Sequence, residues 1–387
     1  MFSVIQLRLL SLTMGVALVG CTAAPEAPST QEYVQVRVTP PGERPVVVPE
    51  NPADPLTSYV GGVPPLVTDR FLLDSPDQQI VGSIQVIQAR YEDTFVDIAR
   101  TYNLGFDELI EANPDVDPWL PGEGTRIILP TRFILPDTPH EGVVINLATK
   151  RLFWYVPADE EGRRAVMTFP IGIGLQGTAT PTGETTITVK IKDPIWYVPA
   201  AIREEYAAEG NPLPNKVLPG PDNPLGSYAL ILGMPSYLIH GTNRPAGVGM
   251  RVSHGCVRLF PENIEKLYSE VPKGEKVTIV DQPWLAGWDG EQLYIEAHKP
   301  LVDDERDWPM LLPDLLNKVA TEGPIKELPP LDPERLSLIT SQGLGLPLPL
   351  LNGSPGPDRY LDESLLVNNV VVLPSINSEQ VAHDSGE

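Results

Sequence analysis

The chain has 387 residues, 44 of them proline, and a formal net charge of −23 at pH 7. This acidity excludes nucleic acid as a partner, because phosphate binding requires basic patches. The length and the proline content together predict one catalytic core, one small module and long connecting segments.

The chain opens with the features of a bacterial lipoprotein leader. Arg8 precedes an apolar run over residues 9–19, which suits a secretory signal and is short for a membrane-spanning helix. An uncleaved membrane anchor is the alternative. The run ends in a sequence that resembles a lipobox, which implies a signal peptide over residues 1–20 and a lipid on Cys21. Because Thr22 rather than aspartate follows, the resemblance implies a periplasmic protein anchored to the outer membrane of a Gram-negative bacterium.

Residues 21–80 are rich in proline, glutamate and threonine. Such a segment cannot bury enough apolar area to offset its conformational entropy. We therefore predict a flexible, proline-rich tether that lets an enzyme anchored in one layer work in another.

A small module is predicted over residues 83–131. Phe95, Ile98 and Tyr102 lie at helical spacing behind Thr94, a good helix-capping residue. A second helix over residues 106–112 and a closing strand over 126–130 complete a strand–helix–helix–strand pattern. It resembles a LysM module, a small βααβ fold that binds glycans containing N-acetylglucosamine. A structural spacer without glycan affinity is the alternative.

Residues 142–281 carry the densest strand signals. Two β-rich runs joined by a short turn predict a hairpin over residues 143–155, and several short strands follow it. Helices are predicted only over residues 201–208 and 262–270. This pattern predicts a mainly β fold, a sandwich with its active site in the connecting loops. The turn-rich segment 194–226 is predicted to be either a lid or an irregular surface loop.

Two histidines converge on the only cysteine outside the leader, Cys256. A cysteine thiol, with an ordinary pKa of about 8.5, needs a neighbouring base or cation to act as a nucleophile at pH 7. His254 lies two residues before Cys256 and would share a face with it on a regular strand, whereas His240 reaches it only if the chain folds back. The residues alone support a catalytic cysteine and a structural thiol about equally, and a metal site less well.

Two runs around this cysteine resemble the active-site signature of the L,D-transpeptidases of the YkuD family, of the ErfK/YbiS/YcfS/YnhG type. They are His240-Gly241-Thr242-Asn243 and Ser253-His254-Gly255-Cys256-Val257-Arg258. Similar stretches at residues 171–174, 180–183 and 220–226 extend the likeness over the middle third of the chain. The resemblance implies a YkuD-type β-sandwich catalytic domain over residues 142–281.

The resemblance also implies roles for individual residues. Cys256 is the implied nucleophile and His240 its base, with His254 an equal candidate for the base. Gly241 is the implied source of a carbonyl that orients the base, and backbone N–H groups at Gly255 and Cys256 are implied oxyanion donors. The residues predicted to bind substrate are Ser253, Asn243, Arg251 and Arg258. No metal or other cofactor is implied.

The implied reaction is acyl transfer from the third residue of a tetrapeptide stem, through a thioester, in cell wall biogenesis and cell shape maintenance. The implied partners are the stem peptides and glycan strands of peptidoglycan, a membrane reached through the lipid on Cys21, and a lipoprotein if its lysine is the acceptor. Transfer to water would make the protein an L,D-carboxypeptidase. An endopeptidase, a zinc amidase and a non-catalytic wall-binding lipoprotein are further alternatives.

Residues 282–387 carry no functional motif. A strand is predicted over residues 293–298 and a helix over 313–319, but repeated proline and glycine pairs interrupt the rest. We expect a largely irregular C-terminal extension.

Overall fold

A computed structural model describes residues 63–325 and 330–371. The predicted signal peptide, Cys21 and most of the predicted tether lie outside these residues. Within the two described ranges, no helix has both the length and the apolar character needed to cross a membrane.

The first part of the described chain forms short strands around a pair of helices. These elements are β1 (Arg70–Leu73), β2 (Ile80–Gly82), β3 (Gln85–Gln88), α1 (Phe95–Thr101), α2 (Phe106–Ala112), β4 (Arg126–Leu129) and β5 (Arg132–Ile134). Strands β3 and β4 pair antiparallel, which gives a strand–helix–helix–strand order. Helix α1 begins after Thr94, whose side chain accepts a hydrogen bond from the Asp97 backbone N–H.

The central part of the chain is built mostly from strands. Its elements are β6 (Gly142–Asn146), β7 (Arg151–Val156), β8 (Arg164–Pro170), β9 (Ile173–Gly174), β10 (Gly183–Lys192), β11 (Trp196–Tyr197), α3 (Ala200–Ala208), β12 (Lys216–Val217), β13 (Tyr228–Leu232), β14 (Leu238–His240), β15 (Arg251–Ser253), β16 (Val257–Arg258), α4 (Pro261–Glu270) and β17 (Lys276–Val280). The predicted hairpin and both predicted helices are confirmed, as is the mainly β character.

The large sheet of the described chain has nine strands in the order β1-β8-β7-β6-β17-β10-β13-β14-β16. The first part of β10, residues 183–186, pairs with β17, and residues 187–192 pair with β13. The register shifts between Ile187 and Val189, and a bulge of this kind bends a strand. The two halves of the sheet then enclose one apolar core, with Trp154 and Phe169 from one half and Leu230 and Ile239 from the other. The layers of the expected sandwich are therefore two halves of one curled sheet.

The strand–helix–helix–strand unit is fused to this sheet. Its apolar residues, among them Phe95 and Leu109, belong to the same buried cluster as Phe153 and Val166 of the sheet. The N-terminus of α2 also packs on a loop of the central part, where the Phe106 N–H donates to the Val248 carbonyl at 3.4 Å. The unit and the sheet therefore form one body rather than two independently packed domains.

Part of the predicted tether is in fact a strand of the catalytic sheet. β1 pairs antiparallel with β8 at the sheet edge, and Lys266 on α4 holds Asp69 through an ion pair. A run of four residues is too short for sequence periodicity to reveal, and its partner strand lies far along the chain. The boundary predicted at residue 80 is therefore too late for the end of the tether.

The C-terminal part contains the strand predicted over residues 293–298 and the helix predicted over 313–319, and the rest of it is more regular than the extension that we expected. Its elements are β18 (Trp284–Asp289), β19 (Gln292–Ala297), α5 (Trp308–Glu322), α6 (Pro333–Gln342), β20 (Leu348–Pro349), α7 (Pro357–Asp362) and β21 (Leu365–Leu366). Strands β18, β19 and β20 form a sheet whose apolar face packs on α5 and α6. β21 pairs with β3 of the helical unit. Each of the three helices has a proline in its first two positions, where the missing N–H costs nothing, and Pro349 lies in β20.

Candidate active site

Two short parallel strands bring His240 and Cys256 together. β14 pairs with β16 so that Ile239 lies opposite Val257 and His240 opposite Arg258. Ile239 and Val257 are fully buried in the core of the curled sheet. Because side chains alternate along a strand, His240 and Arg258 point to the opposite face, and Cys256 comes directly before β16. This pairing supplies the return of the chain that His240 needs to reach the thiol.

The stretch from Ser253 to Cys256 is a turn rather than a strand. β15 ends at Ser253, and Gly255 has a φ of +103°, a backbone conformation that residues other than glycine rarely adopt. The Ser253 hydroxyl accepts from the Gly255 N–H at 3.2 Å and donates to the Cys256 carbonyl at 2.5 Å. The expectation that His254 and Cys256 share the face of one regular strand is therefore wrong.

A second loop supports this turn from behind. The Thr180 hydroxyl donates to the Gly255 carbonyl at 2.8 Å and accepts from the Gly174 N–H at 3.3 Å. A Cβ on Gly174 would lie 2.2 Å from the Thr178 carbonyl oxygen, so only glycine fits there. Sequence reasoning did not assign a role to Thr180, although its stretch matched the family pattern.

His240 is buried, and its ring is held by the backbone. Its Nδ1 lies 2.6 Å from the carbonyl oxygen of Gly241, which can only accept a hydrogen bond. Nδ1 therefore carries the proton in this contact, and Nε2 keeps a lone pair. Burial lowers the pKa of His240 to about 4, and the charge of Arg258 acts in the same direction. The ring is a neutral imidazole at neutral pH.

The Cys256 thiol is partly buried and donates to the Ser236 carbonyl at 3.6 Å. Ser236 has a φ of +72°, an uncommon conformation that places its carbonyl at the site. Burial raises the pKa of the Cys256 thiol, although the Leu238 backbone and the charge of Arg258 oppose the shift. Both groups are therefore neutral at rest, so attack by Cys256 needs a base that takes the thiol proton.

His254 has a different partner. Its Nε2 lies 2.9 Å from Oε2 of Glu205, which is on α3 within segment 194–226. The strands that flank this helix, β11 and β12, pair only with each other among the described residues. The structure therefore sets His240, at the end of β14, beside the strand that directly follows Cys256, and it engages His254 with the segment outside the sheet.

The predicted substrate-binding residues differ in their surroundings. Arg258 is half-buried, and its Nε has no hydrogen-bond partner among the described residues. Burial lowers the pKa of Arg258, and the nearby charge of Arg244 adds to this. Arg251 instead donates to the Gly174 carbonyl and forms a two-contact ion pair with Asp303. Asn243 is exposed.

A metal site at His240, His254 and Cys256 is the weaker of the hypotheses drawn from the sequence. Among the side chains that the structure describes, no three His, Cys, Asp or Glu residues are grouped so that they could hold a metal ion.

The curled sheet holds a backbone-oriented imidazole at the end of β14 and a thiol directly before β16, an arrangement that suits cysteine-dependent acyl transfer. The sequence profile of the YkuD L,D-transpeptidase catalytic domain matches residues 140–279. The chain belongs to the YkuD family of L,D-transpeptidases.

Three relatives show the extent of the likeness. The probable L,D-transpeptidase YcfS of Escherichia coli K12 is 41% identical over 257 residues, which cover 65% of this chain and 78% of the relative. The probable L,D-transpeptidase YbiS of the same strain is 44% identical over 238 residues, which cover 60% of this chain and 76% of the relative. The probable L,D-transpeptidase ErfK/SrfK of Salmonella typhimurium is 38% identical over 267 residues, which cover 67% of this chain and 82% of the relative.

Proposed function

We propose that the protein is a peptidoglycan L,D-transpeptidase in which Cys256 is the nucleophile and His240 its general base. The observation that carries this assignment is the pairing of β14 with β16, which sets His240 beside the strand that directly follows Cys256, on the face opposite the buried Ile239 and Val257. The Gly241 carbonyl, 2.6 Å from Nδ1, leaves Nε2 of His240 as the proton acceptor.

In the first half of the reaction, His240 removes the thiol proton as Sγ of Cys256 attacks the carbonyl of the third stem residue. The bond to the terminal D-alanine breaks, the imidazolium gives its proton to the leaving amine, and a thioester remains. In the second half, an acceptor amine attacks the thioester and gives a proton to His240, which then returns it to the departing sulfur. Proton transfer by a positioned base contributes about 10²- to 10⁴-fold to such reactions.

The tetrahedral intermediate carries a negative charge that needs donors. The Gly255 N–H already donates to the Ser253 hydroxyl, so we assign the oxyanion contact to the Cys256 N–H. Ser253 and Gly255 then shape the turn that orients this donor. We propose that both residues contribute to catalysis in this way.

We assign the carboxylates of the donor stem to Arg258, with Arg244 beside it. The half-buried guanidinium of Arg258 lies next to His240, and its positive charge suits a charge-assisted contact with a carboxylate. Asn243 is an exposed rim residue that can contact the stem. Arg251 is held by Asp303, so a substrate role for it requires this ion pair to open.

The test is intact mass spectrometry of the chain without residues 1–21 after exposure to a carbapenem, which the family resemblance implies will acylate the cysteine. We expect an adduct on the wild type and none on Cys256→Ala. The products formed from isolated muropeptides then distinguish a 3-3 cross-link from attachment of a lipoprotein lysine and from hydrolysis. No adduct on folded wild-type protein would favour the wall-binding lipoprotein.

The helical unit between residues 83 and 131 is proposed to be a LysM-type glycan-binding module. Tyr91 and Trp119 are 82% and 59% exposed on the loops that follow β3 and α2, where aromatic rings can stack on sugars. Asp117 fixes the second loop by accepting from the backbone N–H of Trp119. Calorimetry with an N-acetylglucosamine oligomer should show binding that Trp119→Ala weakens at least several-fold. An equal affinity of this variant and the wild type would support a spacer.

Cys21 is proposed to carry the lipid that anchors the protein to the outer membrane from the periplasmic side. Metabolic labelling with a fatty-acid analogue, followed by membrane fractionation, tests this for the full chain. Cys21→Ser should lose the label and leave the membrane fraction, and a labelled Cys21→Ser protein would contradict the proposal.

A further inference from the structure

The helical unit is docked on the loop that leads into the turn before Cys256. This loop, residues 244–250, directly precedes β15. Its Val248 carbonyl accepts a hydrogen bond from the Phe106 N–H at 3.4 Å. The two backbones also approach closely, since a Cβ on Gly249 would lie 2.3 Å from the Cα at position 105 of α2's start. Larger residues would not allow this approach, so the unit occupies a fixed position against the loop.

The same loop borders the site proposed for the stem carboxylates. Arg244 is exposed at its start, and the charge of Arg244 acts on Arg258. A Cβ on Gly247 would lie 3.4 Å from Nη1 of Arg258, so the loop backbone passes directly beside this guanidinium. The loop therefore contacts both the helical unit and the proposed stem site.

The aromatic ring proposed to stack on sugars lies next to the docked loop. The exposed Trp119 ring packs on the Phe106 ring, with 5.6 Å between the ring centroids. Along this path only Phe106 and residues 247–248 separate Trp119 from Arg258. A peptide of four residues reaches about 14 Å when extended, which is the scale of a path with so few intervening residues.

The spacing between the two contacts is set by the fold. Asn103, in the turn between α1 and α2, donates to the Thr168 carbonyl of β8 at 2.9 Å. Its side-chain oxygen accepts from Asn263 of α4 at 2.7 Å. Together with the shared apolar core, these bonds hold the unit against the sheet from a second side. Trp119 and Arg258 are therefore parts of one body and are not joined through a flexible linker.

We propose that the helical unit and loop 244–250 form one binding surface, the strand surface, for a single peptidoglycan strand. A sugar of the strand lies on Trp119, and the stem attached to the same strand reaches Arg258. The unit then selects donor stems that are still attached to glycan and fixes which stem along the strand meets Cys256. This inference rests on the proposed function, because it takes the stem as the acyl donor.

A fixed spacing has a measurable consequence for affinity. When two joined ligands fit two sites at the correct spacing, the second contact becomes intramolecular, and the affinity rises by about 10²- to 10⁴-fold without any new contact. A misplaced unit would lose this gain and keep the two separate affinities. The gain therefore reports the spacing between the sugar contact and the stem contact.

The test is calorimetry on the full chain carrying Cys256→Ala, which binds without turnover. The three ligands are a tetrasaccharide containing N-acetylglucosamine, a free tetrapeptide stem, and the same tetrasaccharide carrying the stem. We expect the joined ligand to bind about 10²-fold more tightly than the tighter of its two parts, and Trp119→Ala to remove this gain. A joined ligand that binds no more tightly than its tighter part would overturn the strand surface.

Gly105→Ala, compared with Gly356→Ala, tests the fixed spacing. Both glycines are helix N-caps, but a Cβ on Gly105 would lie 2.8 Å from the Gly249 Cα, whereas a Cβ on Gly356 meets nothing within 4 Å. Gly105→Ala should lose most of the gain, and Gly356→Ala should keep it. A full gain in Gly105→Ala would refute the fixed spacing.

The affinity of Gly105→Ala for the tetrasaccharide alone shows whether its helical unit is intact. If that affinity is lost, the comparison of Trp119→Ala with the parent protein decides. None of these measurements requires acyl transfer. A missing carbapenem adduct would therefore refute the proposed function, whereas a missing gain would refute the strand surface.

Discussion

Arg151 on β7 and Glu108 on α2 form a buried ion pair, with Nε of the arginine 2.7 Å from Oε1 of the glutamate. Their side chains are only 1% and 7% exposed. The guanidinium also lies over the Phe133 ring at 4.2 Å and donates to the Asn103 carbonyl. This pair joins the helical unit to the nine-stranded sheet, so its removal should destabilise both.

Glu108→Ala is expected to lower the free energy of unfolding by about 3–5 kcal/mol, because Arg151 would keep its charge in a buried site without a counterion. Urea denaturation measures this. Glu184→Ala is the matched control, since Glu184 forms an exposed pair with Lys276 and should cost less than about 1 kcal/mol. Equal losses in the two variants would show that the buried pair does not hold the units together.

His298 should make stability depend on pH in the alkaline range. Burial alone would lower its pKa, but the hydrogen bonds that its ring donates to the carboxylates of Glu111 and Glu296 raise the pKa to about 10. A raised pKa stabilises the folded state fully below the unfolded value of about 6.5, and this contribution is lost as pH rises toward 10.

Unfolding midpoints of wild type and His298→Gln at pH 6, 8 and 10 test this contribution. The difference between the two proteins should be largest at pH 6 and should shrink as the pH rises. A difference that stays constant over this range would mean that His298 is not charged in the folded protein.

His240→Gln and His254→Gln should differ in the rate of Cys256 acylation by a carbapenem. Loss of the base is expected to slow His240→Gln by at least about 10²-fold, whereas His254→Gln should stay within about tenfold of wild type. Mass spectrometry of samples quenched at a series of times measures both rates. The reverse order would move the base to His254.

The acylation rate of wild-type protein should fall only in strong acid. The proposed base, His240, must be neutral to accept a proton, and its pKa of about 4 means that it becomes protonated only as the pH drops through that value. The rate should therefore be nearly level from about pH 5 upward and should change again where the thiol, with its raised pKa, ionises. A rate that already halves near pH 6.5 would indicate a base with an ordinary histidine pKa.

Thr180→Val should weaken the site without changing its volume. It removes the hydroxyl that bonds both Gly255 and Gly174, and an unsatisfied buried carbonyl costs about 1–3 kcal/mol. We expect a stability loss of this size and slower acylation of Cys256. The exposed Thr182→Val is the control, and a matching loss there would assign the effect to the loop rather than to the hydrogen bonds.

Local sequence predicted much of the central region. The hairpin of β6 and β7 and helices α3 and α4 lie where their patterns placed them, because each depends on neighbours within a few residues. The proposed nucleophile and its two candidate bases are also visible in the sequence, since reactive residue types cluster in a short span.

What the sequence did not reveal depends on contacts between distant residues. The sequence does not reveal β1, because its partner, β8, lies about a hundred residues away, nor most of the C-terminal part beyond one strand and one helix, because prolines are typical of loops as well as of helix starts. The environments of the two histidines also had to come from the folded chain. His240 lies against backbone carbonyls in the interior, whereas His254 meets a carboxylate on α3, and neither partner can be read from spacing. The sequence by itself determined which residues can do chemistry, and the tertiary structure decided which nitrogen is free to take a proton, because burial and hydrogen-bond partners set both pKa and tautomer.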